Sequence, residues 1–523
     1  MKVDVAASAG EAHPVESPHG EAPISATESR YSPGMIGVAI VVGAGLGLRF
    51  VAPPHLWLDE ALTVNIAKLP LDQLRTALER DGGPPLFYVL LHGWMTIFGA
   101  DDRAVRALSG ILGAVAVGLA YVAGTKLGRT PSERRGLAVA TMVVVATSPY
   151  AIRYSSEARM YSLVMALVFA GIAIASDLWT APSMLRFVGL VVVTAGLLYA
   201  QYWTIFLIAT VGIGLVAVVL CAGAPTRHSA RRVLGGIIVG GVLFIPWIPT
   251  LRTQLVHTGT PWDAPAGLFA STWHSIVAFG GGRVPLGWFL TAILVTLAVV
   301  AVLGHRGELT RTARVVVTIG TATLGVAIVT SVIAASGVQD RYATVVFPFV
   351  ALAAAVGIVT RHDPRFRALL LAGVAVAGLV TGLRSVREVR TAAGPIAHAL
   401  VADVSAGDVV AYCPDQLGPS TARLVGARVD QVTFPRLAAP QFVDWTDYAA
   451  RNAAGSPTRF ARRIERRAGA GSIWFVWSPG YRTLGTKCEA VINALTAGGR
   501  QPSKVTVARG PNGERIEVRR FER

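Results

Sequence analysis

"LGWFLTAILVTLAVVAVLG" (residues 286–304) and "ARVVVTIGTATLGVAIVTSVIAA" (residues 313–335) decide the class of fold. Each is about as long as the twenty or so residues that a helix needs to cross roughly 30 Å of hydrocarbon, and neither shows the two-residue alternation of a membrane barrel strand. The whole chain follows the same bias. Of its 523 residues 53% are hydrophobic and 15% charged, with a mean hydropathy of +0.52, more apolar matter than a water-soluble core accounts for. The chain therefore reads as an α-helical polytopic membrane protein.

Working outward from those two runs, spans are expected near 35–52, 104–124, 136–150, 158–176, 184–199, 203–222, 233–250, 286–304, 313–335, 343–360 and 367–384, eleven in all. With the N-terminus inside, the inward connections hold 14 basic residues, from Lys126 and Arg129 to Arg365 and Arg367. The outward ones after the first loop hold five: Arg153, Arg159, Arg252, Arg283 and Arg341. Cytoplasmic loops carry the excess of Lys and Arg, so this orientation is preferred, and an odd number of spans puts the C-terminal region outside a cytoplasmic membrane. The formal net charge of +17 is explained first by this topology, and nucleic acid is not expected as a partner. Residues 1–34 are polar, carry Glu11, Glu16, Glu21 and Glu28, and lack the cationic and apolar regions of a cleaved signal; they are expected to form a disordered cytoplasmic tail.

From about residue 390 the hydropathy falls, and 390–523 reads as a soluble extracytoplasmic domain of ordinary size. "DVVAYC" (408–413) and "GSIWFVW" (471–477) look like strands and "CEAVINALTAGG" (488–499) like a helix closed by glycine, so a small α/β unit is expected. Residues 387–523 hold 20 Lys and Arg against 12 Asp and Glu. That surface could meet anionic headgroups or an acidic glycan, or be simply a solvated basic face. Cys413 and Cys488 fall in this domain, where either a disulfide or two buried thiols fits, while Cys221 ends a span near the cytoplasm and should stay reduced. No Cys/His spacing suggests zinc.

Four stretches could carry chemistry. The first external loop, 53–103, opens with "HLWLDEALTVNIAKL" (55–69), which puts Asp59 and Glu60 directly after the first span. It continues with "DGGPPLFYVLLHGWMTIFG" (81–99), where Pro84 and Pro85 precede an apolar segment better suited to the membrane interface than to crossing. "SPYAIRYSSEARMYSL" (148–163) places Arg153, Glu157, Arg159 and Tyr161 at the mouth of two spans, and "GVQDRYATVVFPF" (337–349) places Asp340 and Arg341 before a late one. Each acidic–basic neighbourhood taken alone is more simply a helix cap or a pinning salt bridge. All lie on one expected face, however, where carboxylates and guanidinium groups can converge on a cavity between helices.

"WLDEA", "PPLFYVLLHGW…FG", "RALSG" (106–110), "SSEARMYSL" and "DRY", in that order and on that side, resemble the bacterial members of glycosyltransferase family 39, relatives of the protein O-mannosyltransferases and the lipid A aminoarabinose transferases. The resemblance covers roughly residues 35–385. "YCPDQLGPS" (412–420) in the C-terminal part is similar to actinobacterial members of the group. The resemblance implies a GT-C fold and transfer of a hexosyl or pentosyl unit from a polyprenyl-phosphate sugar to an acceptor hydroxyl on a glycan, lipid or protein. Transfer would invert the anomeric carbon, at the outer leaflet, in cell-envelope or glycoprotein assembly, with mannose one of the candidate sugars.

The residue types suit that chemistry on their own terms. A hydroxyl loses its proton as it attacks, which calls for a carboxylate base, and Asp59, matching the family's loop-one aspartate, is the candidate, with Glu60 beside it. The departing lipid phosphate gathers negative charge that fixed guanidinium groups stabilise, and Arg159, Arg341 and Arg153 are candidates for that role. Glu157 and Asp81 could orient sugar hydroxyls; Trp57, His92 and Tyr161 could line the pocket. No cofactor is required, although Asp59 with a second carboxylate could hold a divalent cation.

A transporter or flippase of a polyprenyl-linked or other lipid substrate is the leading alternative. It should show internal repeats and ionisable residues deep in its spans, whereas the notable charges here cluster at external span ends. A scaffold that binds cell-wall polymer would leave Asp59 without a task.

Overall fold

The computed structural model describes residues 33–259, 267–304, 307–510 and 515–523. The tail expected at 1–34 lies, apart from its last two residues, outside the described residues, as does Arg306. The membrane part is built from α1 (Pro33–Leu48), α2 (Leu58–Ala67), α3 (Leu71–Asp81), α4 (Leu86–Phe98), α5 (Asp102–Thr125), α6 (Pro131–Thr147), α7 (Pro149–Ser155), α8 (Tyr161–Thr180) and α9 (Met184–Ala200). It continues through α10 (Thr204–Cys221), α11 (Ala224–Val242), α12 (Ile248–His257), α13 (Leu268–Phe279), α14 (Pro285–Leu303), α15 (Gly307–Ile333), α16 (Phe347–Val359) and α17 (Pro364–Arg387).

Each of the eleven expected spans coincides with a helix: α1, α5, α6, α8–α11 and α14–α17. Among the described residues seven helices have the length and composition to cross a membrane alone, α11 running on into α12. An eighth is α6 with α7, bent by 59°, while α1, α9 and α16 are shorter apolar helices. The outward faces are apolar: Ile213 and Leu220 of α10 are each 72% exposed and Leu369 of α17 is 70% exposed, which is stable only against lipid. α16 is instead buried almost all round. It crosses α14 so closely that a Cβ on Gly357 would collide with the carbonyl of Leu297, the small-residue packing that lets membrane helices approach.

Two boundaries differ from the sequence-based expectation. The span expected from 233 starts at Ala224, because Arg227, Arg231 and Arg232 continue the helix: long cationic side chains do not break a helix and can extend from its end to the interface. The span expected over 136–150 turns at Ser148, whose hydroxyl accepts from the Ala151 amide, while Pro149 fits the first turn of α7. The bend strands carbonyls at the end of α6, and buried Arg49 donates to those of Val145 and Ala146 at 2.8 Å.

Beyond α17, α18 (Ala393–Val401), α19 (Gly418–Val425), α20 (Tyr448–Ala454), α21 (Pro457–Ala468) and α22 (Lys487–Ala497) accompany five strands: β1 (Val409–Cys413), β2 (Asp430–Thr433), β3 (Ile473–Trp477), β4 (Gln501–Arg509) and β5 (Arg515–Glu522). The sheet order is β2-β1-β3-β5-β4, with β1 parallel to β2 and β3, and β5 antiparallel to β3 and β4. Both "DVVAYC" and "GSIWFVW" form central strands buried on both faces, as their unbroken apolar runs require. Val409, Ala411 and Phe475 pack with Phe460 of α21 and Val491 of α22; Val410, Tyr412 and Trp474 pack on the other face with Ile396 and Leu400 of α18. Cys413 and Cys488 form a disulfide between β1 and α22, and Cys221 is free and exposed.

This α/β unit sits on the helices of the first loop. Arg423 of α19 pairs with Asp102 at 2.9 Å, the Asn65 amide donates to the Gln441 carbonyl at 2.8 Å, and the Trp445 amide donates to the Arg80 carbonyl at 3.0 Å. Leu62 of α2 is buried with Val443, Trp445 and Tyr448. The result is a roof over the ends of the spans.

Candidate functional site

Under that roof lies a cavity of about 1170 Å³, lined from the membrane part by Trp57, Asp59, Asp81, Arg153, Arg159 and Arg341 and from the α/β unit by Gln416, Trp445 and Tyr481, among others. Four local devices bring the membrane-side residues there. α2 starts at Leu58, so Asp59 stands in its first turn, where a carboxylate suits the helix dipole. α3 ends at Asp81 because Gly82 takes the left-handed conformation (φ 88°) that closes a helix. The 59° bend before α7 points Arg153 inward, and Arg341 lies on the 3-10 turn Asp340–Val345 ahead of α16.

Asp59 Oδ2 is 3.4 Å from Arg341 Nη2, and both side chains keep about a sixth of their surface open (17% and 18%). The Arg341 guanidinium lies 5.6 Å from the ring centres of Trp57 and of Tyr342, flat aromatic faces that hold a cation without neutralising it. Arg159 Nη1 donates to Thr63 Oγ1 at 2.6 Å and to the Tyr88 hydroxyl at 3.5 Å, and Tyr88 donates to Asp81 Oδ2 at 2.6 Å. One chain of hydrogen bonds thus spans Thr63, Arg159, Tyr88 and Asp81. Burial pushes the Asp81 carboxyl up, against the pull of Arg159. Burial would lower Arg341, but Asp59 foremost outweighs it and holds the guanidinium above its ordinary range. Arg159 is raised likewise, by Tyr161, Tyr88 and Asp59 acting against burial.

Glu60 and His92 stand elsewhere. Glu60, expected beside Asp59 as a catalytic carboxylate, has no exposed surface and does not line the cavity. It accepts from Arg106 Nε at 2.7 Å, from Arg106 Nη2 at 2.6 Å and from the Ala158 amide at 2.9 Å. Arg106 in turn donates to the carbonyls of Pro53 and His55. Adjacent helix residues project about 100° apart, so when Asp59 faces the cavity Glu60 faces the bundle. His92, expected in the pocket, is on α4 with Nδ1 2.8 Å from the Ala67 carbonyl, and joins two helices away from the cavity.

Glu157 and Tyr161 do not line the cavity themselves but contact Arg153 and Arg159, which do. Glu157 is buried; Arg153 Nε donates to its Oε1 at 2.8 Å, and Arg390 Nη1 is 3.6 Å from the same oxygen. Tyr161 is buried against Tyr154, with Arg159 6.0 Å from its ring centre. Arg390 also donates to Ser156 Oγ at 2.8 Å, and burial lowers it to about 10. Arg390 lies outside the motifs that the sequence offers. Sequence reasoning also assigned nothing to Gln201, Gln416 and Tyr481 in the lining; for Gln416 the motif "YCPDQLGPS" was the available signal. Several buried polar atoms of cavity residues have no partner among the described residues: Trp57 Nε1, Arg159 Nε, Gln201 Nε2 and Gln416 Oε1. Such atoms inside a cavity are what a polar ligand satisfies.

Among the described residues no group of three His, Cys, Asp or Glu side chains gathers as it would around a tightly held metal ion. Asp59 faces Arg341 and Asp81 accepts from Tyr88; with Glu388 they are the carboxylates of the described lining, and carboxylate oxygen is the donor type that a hard divalent cation takes.

Comparison with solved structures gives the fold. The chain is similar over 93% of its length to the crystal structure of ArnT from Cupriavidus metallidurans in the apo state, covering 97% of that chain at 13% identity with a TM-score of 0.58. The same protein bound to undecaprenyl phosphate matches with equal coverage and identity and a TM-score of 0.53. The Archaeoglobus fulgidus oligosaccharyltransferase tethered with an acceptor peptide matches over 92% of this chain and 73% of that one, at 10% identity with a TM-score of 0.51. No protein-family model and no curated protein matches the sequence.

Proposed function

We propose that this chain, a multi-pass membrane protein with the GT-C fold of those structures, is a glycosyltransferase that moves a sugar from a polyprenyl-phosphate donor to an acceptor hydroxyl at the outer face of a cytoplasmic membrane. The observation that carries this reading is the pairing of Asp59 with Arg341 at 3.4 Å, beside Arg159, in a cavity at the ends of the spans. A general base and fixed cations are the two things the reaction needs, and they stand together. The similar ArnT structure bound to undecaprenyl phosphate supports the choice of donor class.

In the proposed reaction the acceptor oxygen attacks the anomeric carbon from the face opposite the phosphate. The C–O bond to phosphate breaks, its electron pair leaving with the polyprenyl phosphate, and the acceptor proton passes to the Asp59 carboxylate, giving inversion. Arg341 and Arg159 stabilise the charge growing on the phosphate oxygens, and Arg153 stands as a further cation beyond them. Asp81 and Trp57 contact the sugar, while Glu60, Glu157 and Tyr161 act as positioning residues: Glu60 fixes the start of α2 through Arg106, and Glu157 and Tyr161 back Arg153 and Arg159. The domain limits follow the same reading, with 35–385 as the catalytic membrane part and 390–523 outside. The deciding experiment is transfer in detergent from a panel of polyprenyl-phosphate hexoses and pentoses, wild type against Asp59→Asn. No product from any donor, with donor binding absent as well, would sink the proposal.

A further inference from the structure

Charge is distributed unevenly around the cavity. Among the described residues, the charged side chains that line it, Asp59, Asp81, Arg153, Arg159, Arg341, Glu388 and Arg390, all belong to the membrane part or to the linker directly after α17. From Thr391 onward every lining residue among the described ones is uncharged, including Gln416, Ser420, Thr421, Trp445 and Tyr481. Composition does not account for this, because residues 387–523 hold 20 basic and 12 acidic residues. The described residues of the α/β unit keep their charges off one wall.

That wall is also incompletely satisfied. Gln416 Nε2 donates to the Tyr481 hydroxyl, which fixes the amide, while Gln416 Oε1 is buried without a partner among the described residues. Tyr481 packs against the buried group of Leu62 and Trp445, and so does Leu58 of the α2 first turn that carries Asp59. From the membrane part, Trp57 Nε1 and Gln201 Nε2 also lack partners among the described residues. A fixed amide acceptor, an aromatic ring, two hydroxyl side chains and two unused donors, with no charge from the α/β unit among the described residues, match a ring that is apolar on its face and hydroxylated at its edge. An anionic lipid headgroup would instead call for cations, of which this wall has none among the described residues.

We propose that the neutral wall of the α/β unit is the acceptor subsite and that it takes an uncharged sugar residue at the end of a glycan, held by Gln416 and Tyr481 with one hydroxyl presented to Asp59. This rests on the transferase reading above. In the transfer, that hydroxyl oxygen bonds to the donor's anomeric carbon, its proton goes to Asp59 and polyprenyl phosphate leaves.

Binding is measured on the full chain in nanodiscs, by calorimetry, with three probes: neutral aryl hexosides and pentosides, the matching uronic acid glycosides, and a Ser/Thr peptide. Polyprenyl phosphate is titrated separately. Neutral glycosides should bind best, and Gln416→Leu and Tyr481→Ala should each weaken them about 5- to 10-fold, the loss of one hydrogen bond or ring contact. Donor binding should be unchanged. Tyr481→Phe, which keeps the packed ring, serves in place of Tyr481→Ala if that variant does not fold. Glycoside affinity indifferent to Gln416, or tighter binding of the peptide or the uronic acid, overturns the inference while donor binding leaves the transferase reading standing. Gln416-dependent glycoside binding without any donor binding would retain the subsite and overturn the transferase.

Discussion

Replacing Asp59 by Asn keeps the size of the side chain and removes its charge and basicity, so it separates proton transfer from packing. At 3.4 Å from Arg341 and an effective dielectric of about 20, the attraction between the two charges is about 5 kcal/mol before desolvation. Most of that is offset by the cost of holding both groups out of water, leaving a coupling on the order of 1–2 kcal/mol. Asp59→Asn should therefore lower stability by no more than about 2 kcal/mol. Turnover should fall by about 10² to 10⁴, the usual contribution of a positioned base. Donor affinity should hold or rise, because Arg341 loses a carboxylate that competes with the incoming phosphate. Arg341→Ala should show the converse, weakening the donor by about 10- to 100-fold through loss of a charge-assisted contact of about 1.5–3 kcal/mol, whereas Arg231→Ala on α11 should leave it unchanged. Turnover of a labelled polyprenyl-phosphate sugar and equilibrium binding of polyprenyl phosphate measure the two effects separately. If Asp59→Asn kept near-normal turnover, or lost donor binding more than tenfold, Asp59 would not be the base and the reasoning from this pair would fail.

Glu60→Gln should act on stability first: it neutralises one side of the buried pair with Arg106, costing about 3 kcal/mol and lowering the melting temperature in detergent, and an unchanged melt would show that the pair does not hold α2 in place. In the α/β unit, burial foremost pushes Asp415 up to about 6 from an ordinary 3.8. The folded state then binds the proton more tightly than the unfolded one, so this group's contribution falls by about 3 kcal/mol as pH rises from about 4 to about 6 and is flat above. Asp415→Asn should remove that slope from urea melts recorded across the window; an identical slope in the variant would refute the assignment. For topology, in a Cys221→Ser background, single cysteines at the exposed positions Arg283 and Arg466 should react with an impermeant thiol reagent from outside and one at Ser132 should not; the reverse pattern would move the whole site to the cytoplasm.

Class of fold and general layout were legible in the chain because they depend on local physics. Twenty apolar residues in a row can satisfy their backbone only as a helix in lipid, and all eleven expected spans are helices. Two unbroken apolar runs, 409–413 and 473–477, became the central strands for an equally local reason. Where α6 bends was hidden only in part, since Ser148 and Pro149 mark a new helix start inside an otherwise continuous apolar stretch.

Hydropathy and periodicity could not reveal which of two adjacent carboxylates faces the cavity; the preference for Asp59 came from the family resemblance alone. Asp59 and Glu60 are equivalent as letters; their fates part because α2 is docked so that Arg106, 46 positions away, takes Glu60 and Arg341, at a separation of 282 residues, meets Asp59. The same holds for Gln416 and Tyr481, which reach the membrane helices only because the α/β unit is seated on Leu62 and Asp102. Hydropathy and helix periodicity act over a few turns and are written in neighbouring residues. The partner of a buried charge is chosen by the rotation of one helix against another, and that angle is a property of the assembled packing alone.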